Sequence, residues 1–165
     1  MSSNPAYPIG IPGQPWGVAE RAQWRARQRR QRGYAEDVVA AIEALRSRFD
    51  VEQYGALEYP PDGTFPLFAV RSRGIDDARP WVLVTGGVHG YESSGVHGAL
   101  RFLDRDGEAF ADRVNLLVVP CVSPWGYERI QRWNADAIDP NRSFRDPAPA
   151  QESAALMRLV APLRG

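Results

Sequence analysis

Two short stretches, residues 81–85 (WVLVT) and 114–120 (VNLLVVP), are apolar on both of their alternating faces. Successive side chains of a strand point to opposite sides of its sheet, so runs of this kind suit central strands covered on both faces. Between them Val96, Ala99, Leu100 and Leu103 recur at helical spacing, giving a strand, helix, strand succession. The expected fold is therefore α/β: a three-layer α/β/α sandwich with a mixed, largely buried sheet, incomplete on its C-terminal side. A chain of 165 residues with 44% hydrophobic content can bury one core of this size and does not suggest two independent ones.

The flanking segments read more locally. Residues 1–16 carry Pro5, Pro8, Pro12 and Pro15 and read as an extended surface arm, with residues 17–165 forming the main unit. A helix is expected over 18–32, ended by Gly33, and an amphipathic one over 34–49, with Val38, Ile42, Leu45 and Phe49 on its inner face. Strand-like runs at 51–59 and 67–73 flank the turn signal Pro60-Pro61-Asp62-Gly63 and predict a hairpin. A last helix spans 151–160 and is closed by Pro162; no internal repeat is visible.

Six arginines, Arg21, Arg25, Arg27, Arg29, Arg30 and Arg32, fall in the first helical stretch. They are spread around the helix, and twenty acidic residues balance twenty basic ones over the chain. A solvated face is expected rather than a nucleic-acid interface. The single cysteine, Cys121, excludes an internal disulfide, and no apolar run approaches the ~20 residues of a membrane span. With no apolar signal core after Met1, a cytoplasmic location without membrane attachment is expected.

The chemistry concentrates where the first buried strand runs out into Gly86-Gly87-Val88-His89-Gly90-Tyr91-Glu92. Functional groups gather at the carboxyl ends of central strands in such sheets. An imidazole and a carboxylate three residues apart across a turn can converge on one zinc ion, so His89 and Glu92 are candidate metal ligands. The bland reading is helix capping, with Glu92 suiting the positive end of the helix that follows. After the second buried strand come Ser123-Pro124-Trp125-Gly126-Tyr127-Glu128-Arg129, then Arg132-Trp133-Asn134 and Asp139-Pro140-Asn141-Arg142-Ser143-Phe144.

Taken together, residues 81–144 resemble the zinc carboxypeptidase family, which includes carboxypeptidases A and B, in the order and spacing of His-x-x-Glu, Asn-Pro-x-Gly, an arginine and Asp-x-Asn-Arg. The resemblance implies Zn2+ held by His89 and Glu92, with Arg132 as the catalytic arginine that polarises the scissile carbonyl and stabilises the oxyanion. Asn141 and Arg142 would bind the substrate's terminal carboxylate. A guanidinium fork beside an amide suits that recognition, and a fixed cation near the metal suits a developing negative charge. Arg129, one helical turn before Arg132, competes for the catalytic assignment.

The implied activity is that of a metallocarboxypeptidase, a hydrolase of the C-terminal peptide bond, acting on peptides or N-acyl amino acids with a free carboxylate. The His-Gly-x-Glu form is also similar to the deacylase branch of the superfamily, with succinylglutamate desuccinylase and aspartoacylase. Tyr91 and Ser123 depart from the arginine and asparagine of many digestive carboxypeptidases. Ser-Pro-Trp-Gly-Tyr-Glu looks closer to the peptidase pattern, so peptide hydrolysis ranks first. The chain holds only two histidines, and His97 should point away from His89 and Glu92 at about 140° around the helix. The family's third ligand and general-base glutamate have no counterpart here, so the sequence reads as an amino-terminal fragment. A non-catalytic carboxylate-binding module is the competing reading.

Overall fold

The computed structural model describes residues 8–163; Pro5 and the first part of the expected arm lie outside them. Four strands form one mixed sheet in the order β1-β2-β4-β3. β1 (Asp50–Tyr59) and β2 (Gly63–Arg71) make the expected hairpin, with one register irregularity between Gln53 and Gly55. β4 (Asn115–Val119) runs antiparallel to β2 and parallel to β3 (Trp81–Thr85), which it pairs from Trp81↔Asn115 to Thr85↔Val119.

Alternation along the strands sends the core to two sides. Phe68, Val70, Leu116 and Val118 face the helical segment before β1, and with it α3 (Ser93–Arg105), whose Val96, Ala99, Leu100 and Leu103 are buried. Ala69, Leu117 and Val119 face the opposite way, onto Leu156 of α5 (Gln151–Val160). The helix, sheet, helix layering is thus the α/β arrangement that the sequence pattern implies.

The helical segment before β1 is continuous but irregular: a π-helical turn Ala35–Val39, α2 (Ala40–Glu43) and a 3-10 turn Ala44–Ser47. Val38, Ile42, Leu45 and Phe49 are all buried on its inner side. α1 (Val18–Arg27) is shorter than expected. The backbone turns extended at Gln28, and the amides of Gln31 and Arg32 go to the Glu128 carbonyl at 2.8 and 3.3 Å. A tertiary partner for those two donors replaces the last helical turn.

The reading of 81–85 as a strand covered on both sides is corrected. β3 lies at the sheet edge, with Val82 39% and Leu83 46% exposed, and among the described residues no strand pairs with its outer side. Composition alone could not separate β3 from β4, which is buried at every position. A mostly apolar pocket beside β3 is lined by Val82, Val84, Phe102, Phe110, Val114 and Leu116, together with Arg113.

On the hairpin side an aromatic cluster secures the amino-terminal segment. Trp16 meets Trp133 edge to face at 5.7 Å between centroids, while Trp24 lies 5.7 Å from both Trp133 and Trp125. Rings of this size gain both burial and geometry-specific attraction. The cluster holds residues 16–24 against the loop that carries Arg132.

Candidate metal and carboxylate site

The turn after β3 stays zipped to the segment after β4. Gly86 donates to the Val119 carbonyl at 2.9 Å, and Val122 and Ser123 donate to the carbonyls of Gly86 and Gly87 at 3.0 Å each. A side chain on Gly86 would lie 2.5 Å from the backbone oxygens of both Gly95 and Pro120, so the close approach of strand ends and helix demands glycine there. This brings His89, just past β3, to α4 (Pro124–Arg129) and the loop that follows it.

His89 is buried and has both ring nitrogens occupied: Nδ1 lies 3.0 Å from Glu92 Oε1, and Nε2 lies 3.0 Å from Asp139 Oδ1. A ligating histidine commonly gives its second nitrogen to a carboxylate, which fixes the ring and the tautomer. With a metal bound the two contacts would take that form: Nε2–H would donate to Asp139, and Nδ1 would be left to the ion beside Glu92. The Glu92 side chain is 45% exposed against 6% for His89, so the pair faces outward on one side.

Asp139 is a hub. Its Oδ2 accepts from Arg132 Nε and faces Arg132 Nη2, both at 3.0 Å, and its Oδ1 also accepts from the Asn141 amide at 2.9 Å. Burial works to raise its carboxyl, but the hydrogen bonds and charge from His89 and then Arg132 outweigh that and hold it below the usual carboxylate range. The remaining Arg132 Nη1 donates to the Tyr91 hydroxyl at 3.3 Å, and the Tyr91 ring stacks on His89 with 9° between planes.

Arg129 and Arg132 separate cleanly. Arg129 is buried away from His89, beside Asp62 at 3.5 Å and over the Trp125 ring at 4.7 Å. Arg132 stands at the site. Asn141 and Arg142 lie in the 3-10 turn Pro140–Arg142, both exposed, and Arg142 has no ion pair among the described residues. That turn is tied down by Ser143 Oγ on the Asp139 carbonyl at 2.8 Å and Ser153 Oγ on the Pro140 carbonyl at 2.6 Å.

His97 points elsewhere, toward the Tyr127 hydroxyl at 3.4 Å. Burial pushes the Cys121 thiol up to about 12, so it is no nucleophile at neutral pH. Among the described residues no group of three His, Cys, Asp or Glu side chains could hold a metal. The donor chemistry of an imidazole Nδ1 and a carboxylate side by side fits zinc as two of its ligands, and Asp139 is spent on the far side of the imidazole.

Reading the sequence alone leaves Asp139 without a role, although it opens the Asp-x-Asn-Arg motif. The need of a ligating histidine for a second carboxylate could have pointed to it. The contacts of Tyr91 had no signal in the sequence.

The sequence profile of the family described as "Protein of unknown function (DUF2817)" matches residues 36–163. No curated protein matches the chain. Among solved structures, a provisionally assigned metallopeptidase from Shewanella denitrificans OS217 is 26% identical, with a TM-score of 0.66 over 78% of this chain and 47% of that one. A metallo-carboxypeptidase from Burkholderia cenocepacia is 20% identical, with a TM-score of 0.64 over 78% and 37% of the two chains. An aspartoacylase family protein from Mesorhizobium loti MAFF303099 is 21% identical, with a TM-score of 0.54 over 70% and 37%. The last two likenesses concern the fold. The chain spans about half the length of the first of these structures and less of the others. No helix among the described residues is long and apolar enough to cross a membrane.

Proposed function

The chain belongs to the DUF2817 family, and we propose that it supplies the amino-terminal half of a zinc-dependent carboxypeptidase site for substrates with a free carboxylate. The observation that carries this reading is His89 held between Glu92 and Asp139, with Arg132 on the same aspartate. His89 Nδ1 and Glu92 would hold the metal, completed by a ligand from outside the described residues. Bound zinc would supply Lewis acidity toward a carbonyl and acidify water.

The chain's own residues do the rest. Asp139 keeps the His89 ring oriented and the Arg132 guanidinium in place through Nε and Nη2. Arg132 Nη1 then remains on the Tyr91 side, where a cation can offset charge developing on a carbonyl oxygen. Exposed Asn141 and Arg142 offer an amide and a planar fork to a terminal carboxylate. Such a clamp makes cleavage exopeptidic by geometry.

The His-Gly-x-Glu form is explained by packing. A side chain on Gly90 would lie 1.9 Å from the Gly126 carbonyl carbon, so packing against α4 is by itself a reason for glycine there. Peptide hydrolysis keeps first place over deacylation because residues 123–128, Ser-Pro-Trp-Gly-Tyr-Glu, look closer to the peptidase pattern.

Zinc binding by chelator competition tests the ligands: His89→Ala and Glu92→Ala should each abolish it, and wild-type binding in both variants would sink the assignment. In protein extended to the length of its structural relatives, Arg142→Ala should raise KM for C-terminal amino-acid release. Faster turnover of N-acyl amino acids than of peptides would favour the deacylase reading.

A further inference from the structure

Arg32 is the one arginine of the basic stretch that reaches the candidate site. The others stay on or near the surface: Arg21 is exposed, Arg25 bonds Asp62 and the Tyr59 carbonyl, Arg27 the Pro8 carbonyl, Arg29 the Ala26 carbonyl, and Arg30 pairs with Glu36 and Glu128. Because α1 ends at Arg27, residues 28–33 are free to lie along α4. Besides the two amides given to the Glu128 carbonyl, Gln31 Nε2 donates to the Arg129 carbonyl at 3.0 Å. Arg32 is thus anchored at its backbone before its side chain is considered.

That side chain is held on edge and face. Nε donates to the Tyr127 carbonyl and Nη2 to the Gly90 carbonyl, both at 2.7 Å, and the guanidinium carbon lies 3.8 Å from the Tyr127 ring centroid. A planar, delocalised cation can make all three contacts together; a lysine ammonium cannot. Tyr127 sits in the last turn of α4, where a cation also meets the negative end of the helix dipole.

Gly90 and Tyr91 are the two residues between the candidate ligands. The His89 ring has Asp139 to fix it, whereas Glu92 is more exposed and, among the described residues, its carboxylate meets only His89. The relative placement of the pair therefore depends on the backbone of residues 90 and 91. That backbone is fixed by the Arg32 bond to Gly90 and by the Tyr91 amide, which donates to the Gln131 carbonyl at 3.1 Å.

We propose that Arg32 is a positioning residue that pins the Gly90 carbonyl to α4 and so sets the distance at which His89 and Glu92 meet a metal ion. The proposal rests on the reading of His89 and Glu92 as ligands, and its test separates the two. Zinc ion alone is titrated into wild type, Arg32→Gln, Arg32→Lys and the surface control Arg29→Gln, each in protein extended to the length of its structural relatives and at a temperature where circular dichroism shows it folded. Amide exchange at Tyr91 is followed without metal.

Arg32→Gln should weaken zinc binding about 10-fold or more, the range seen when the support of a metal ligand is removed. Tyr91 exchange should quicken by a similar factor, Arg32→Lys should fall between, and Arg29→Gln should match wild type. An Arg32→Gln protein with a lower unfolding midpoint but wild-type zinc affinity and Tyr91 exchange would overturn the proposal and leave Arg32 a packing residue. If wild type binds no zinc, the ligand reading fails. Tyr91 exchange then decides alone: an unchanged rate in Arg32→Gln overturns the pinning role, and a faster one upholds it.

Discussion

Gly90→Ala tests the packing of the site most directly. The added methyl carbon would stand 1.9 Å from the Gly126 carbonyl carbon and 2.1 Å from the Tyr127 amide nitrogen, both backbone atoms with no rotamer to change. Ordinary contact begins at 3.4 Å, so the loop has to retreat by about 1.5 Å. Retreat on that scale breaks the bonds from Arg32 to the Gly90 carbonyl and from the Tyr91 amide to Gln131, now 2.7 and 3.1 Å. A charge-assisted bond and a neutral one contribute roughly 3 kcal/mol together, and residual overpacking costs about 1 kcal/mol more. The expected loss is about 4 kcal/mol, a drop of roughly 10 °C in unfolding midpoint for a chain of this size. Gly98→Ala is the counterpart: Gly98 lies inside α3 with nothing within 4 Å of an added methyl, so it should stabilise by about 0.5–1 kcal/mol. Urea denaturation of both variants reads the two signs. A Gly90→Ala midpoint within error of wild type would refute the argument that the 89–92 loop and α4 share one backbone contact.

Three further outcomes follow from the same structure. Leu117→Ala, in a fully buried position of β4, should cost about 3 kcal/mol, while Leu83→Ala on the half-open edge of β3 should cost under ~1 kcal/mol; equal losses in denaturant titrations would contradict the edge assignment. Asp139→Asn should weaken zinc binding about 10-fold or more, since an amide cannot serve both His89 and Arg132 as acceptor, and an unchanged dissociation constant would remove Asp139 from the site. Burial raises the Glu152 carboxyl above its ordinary 4.5, against hydrogen bonds from Asn134 and Tyr59 that lower it. The folded protein then holds that proton more tightly than the unfolded chain. Its contribution is complete below pH 4.5 and is lost as pH rises through the folded value, so Glu152→Gln should flatten the decline of stability above pH 4.5. Parallel pH profiles for the two proteins would refute it.

Local patterns in the sequence carried the layers but not their edges. Val38, Ile42, Leu45 and Phe49 announce their helical face because burial follows periodicity, and the hairpin follows from its turn. WVLVT and NLLVV look alike as strings, yet one is an edge and the other a centre, because that difference lies in which strand pairs with which. The site divides the same way. His89, Glu92, Arg132, Asn141 and Arg142 sit in a spaced pattern legible from residue types, and the structure joins Glu92 to His89 and both His89 and Arg132 to Asp139. Asp139 and Arg32 act through partners 50 and 58 residues away in the chain. Nothing local distinguishes Arg32 from its five neighbours on the basic stretch; only the early end of α1, set by the Glu128 carbonyl, turns it inward. Supporting residues are thus the last part of a site to become legible, because their role is defined by backbone carbonyls that carry no sequence signature.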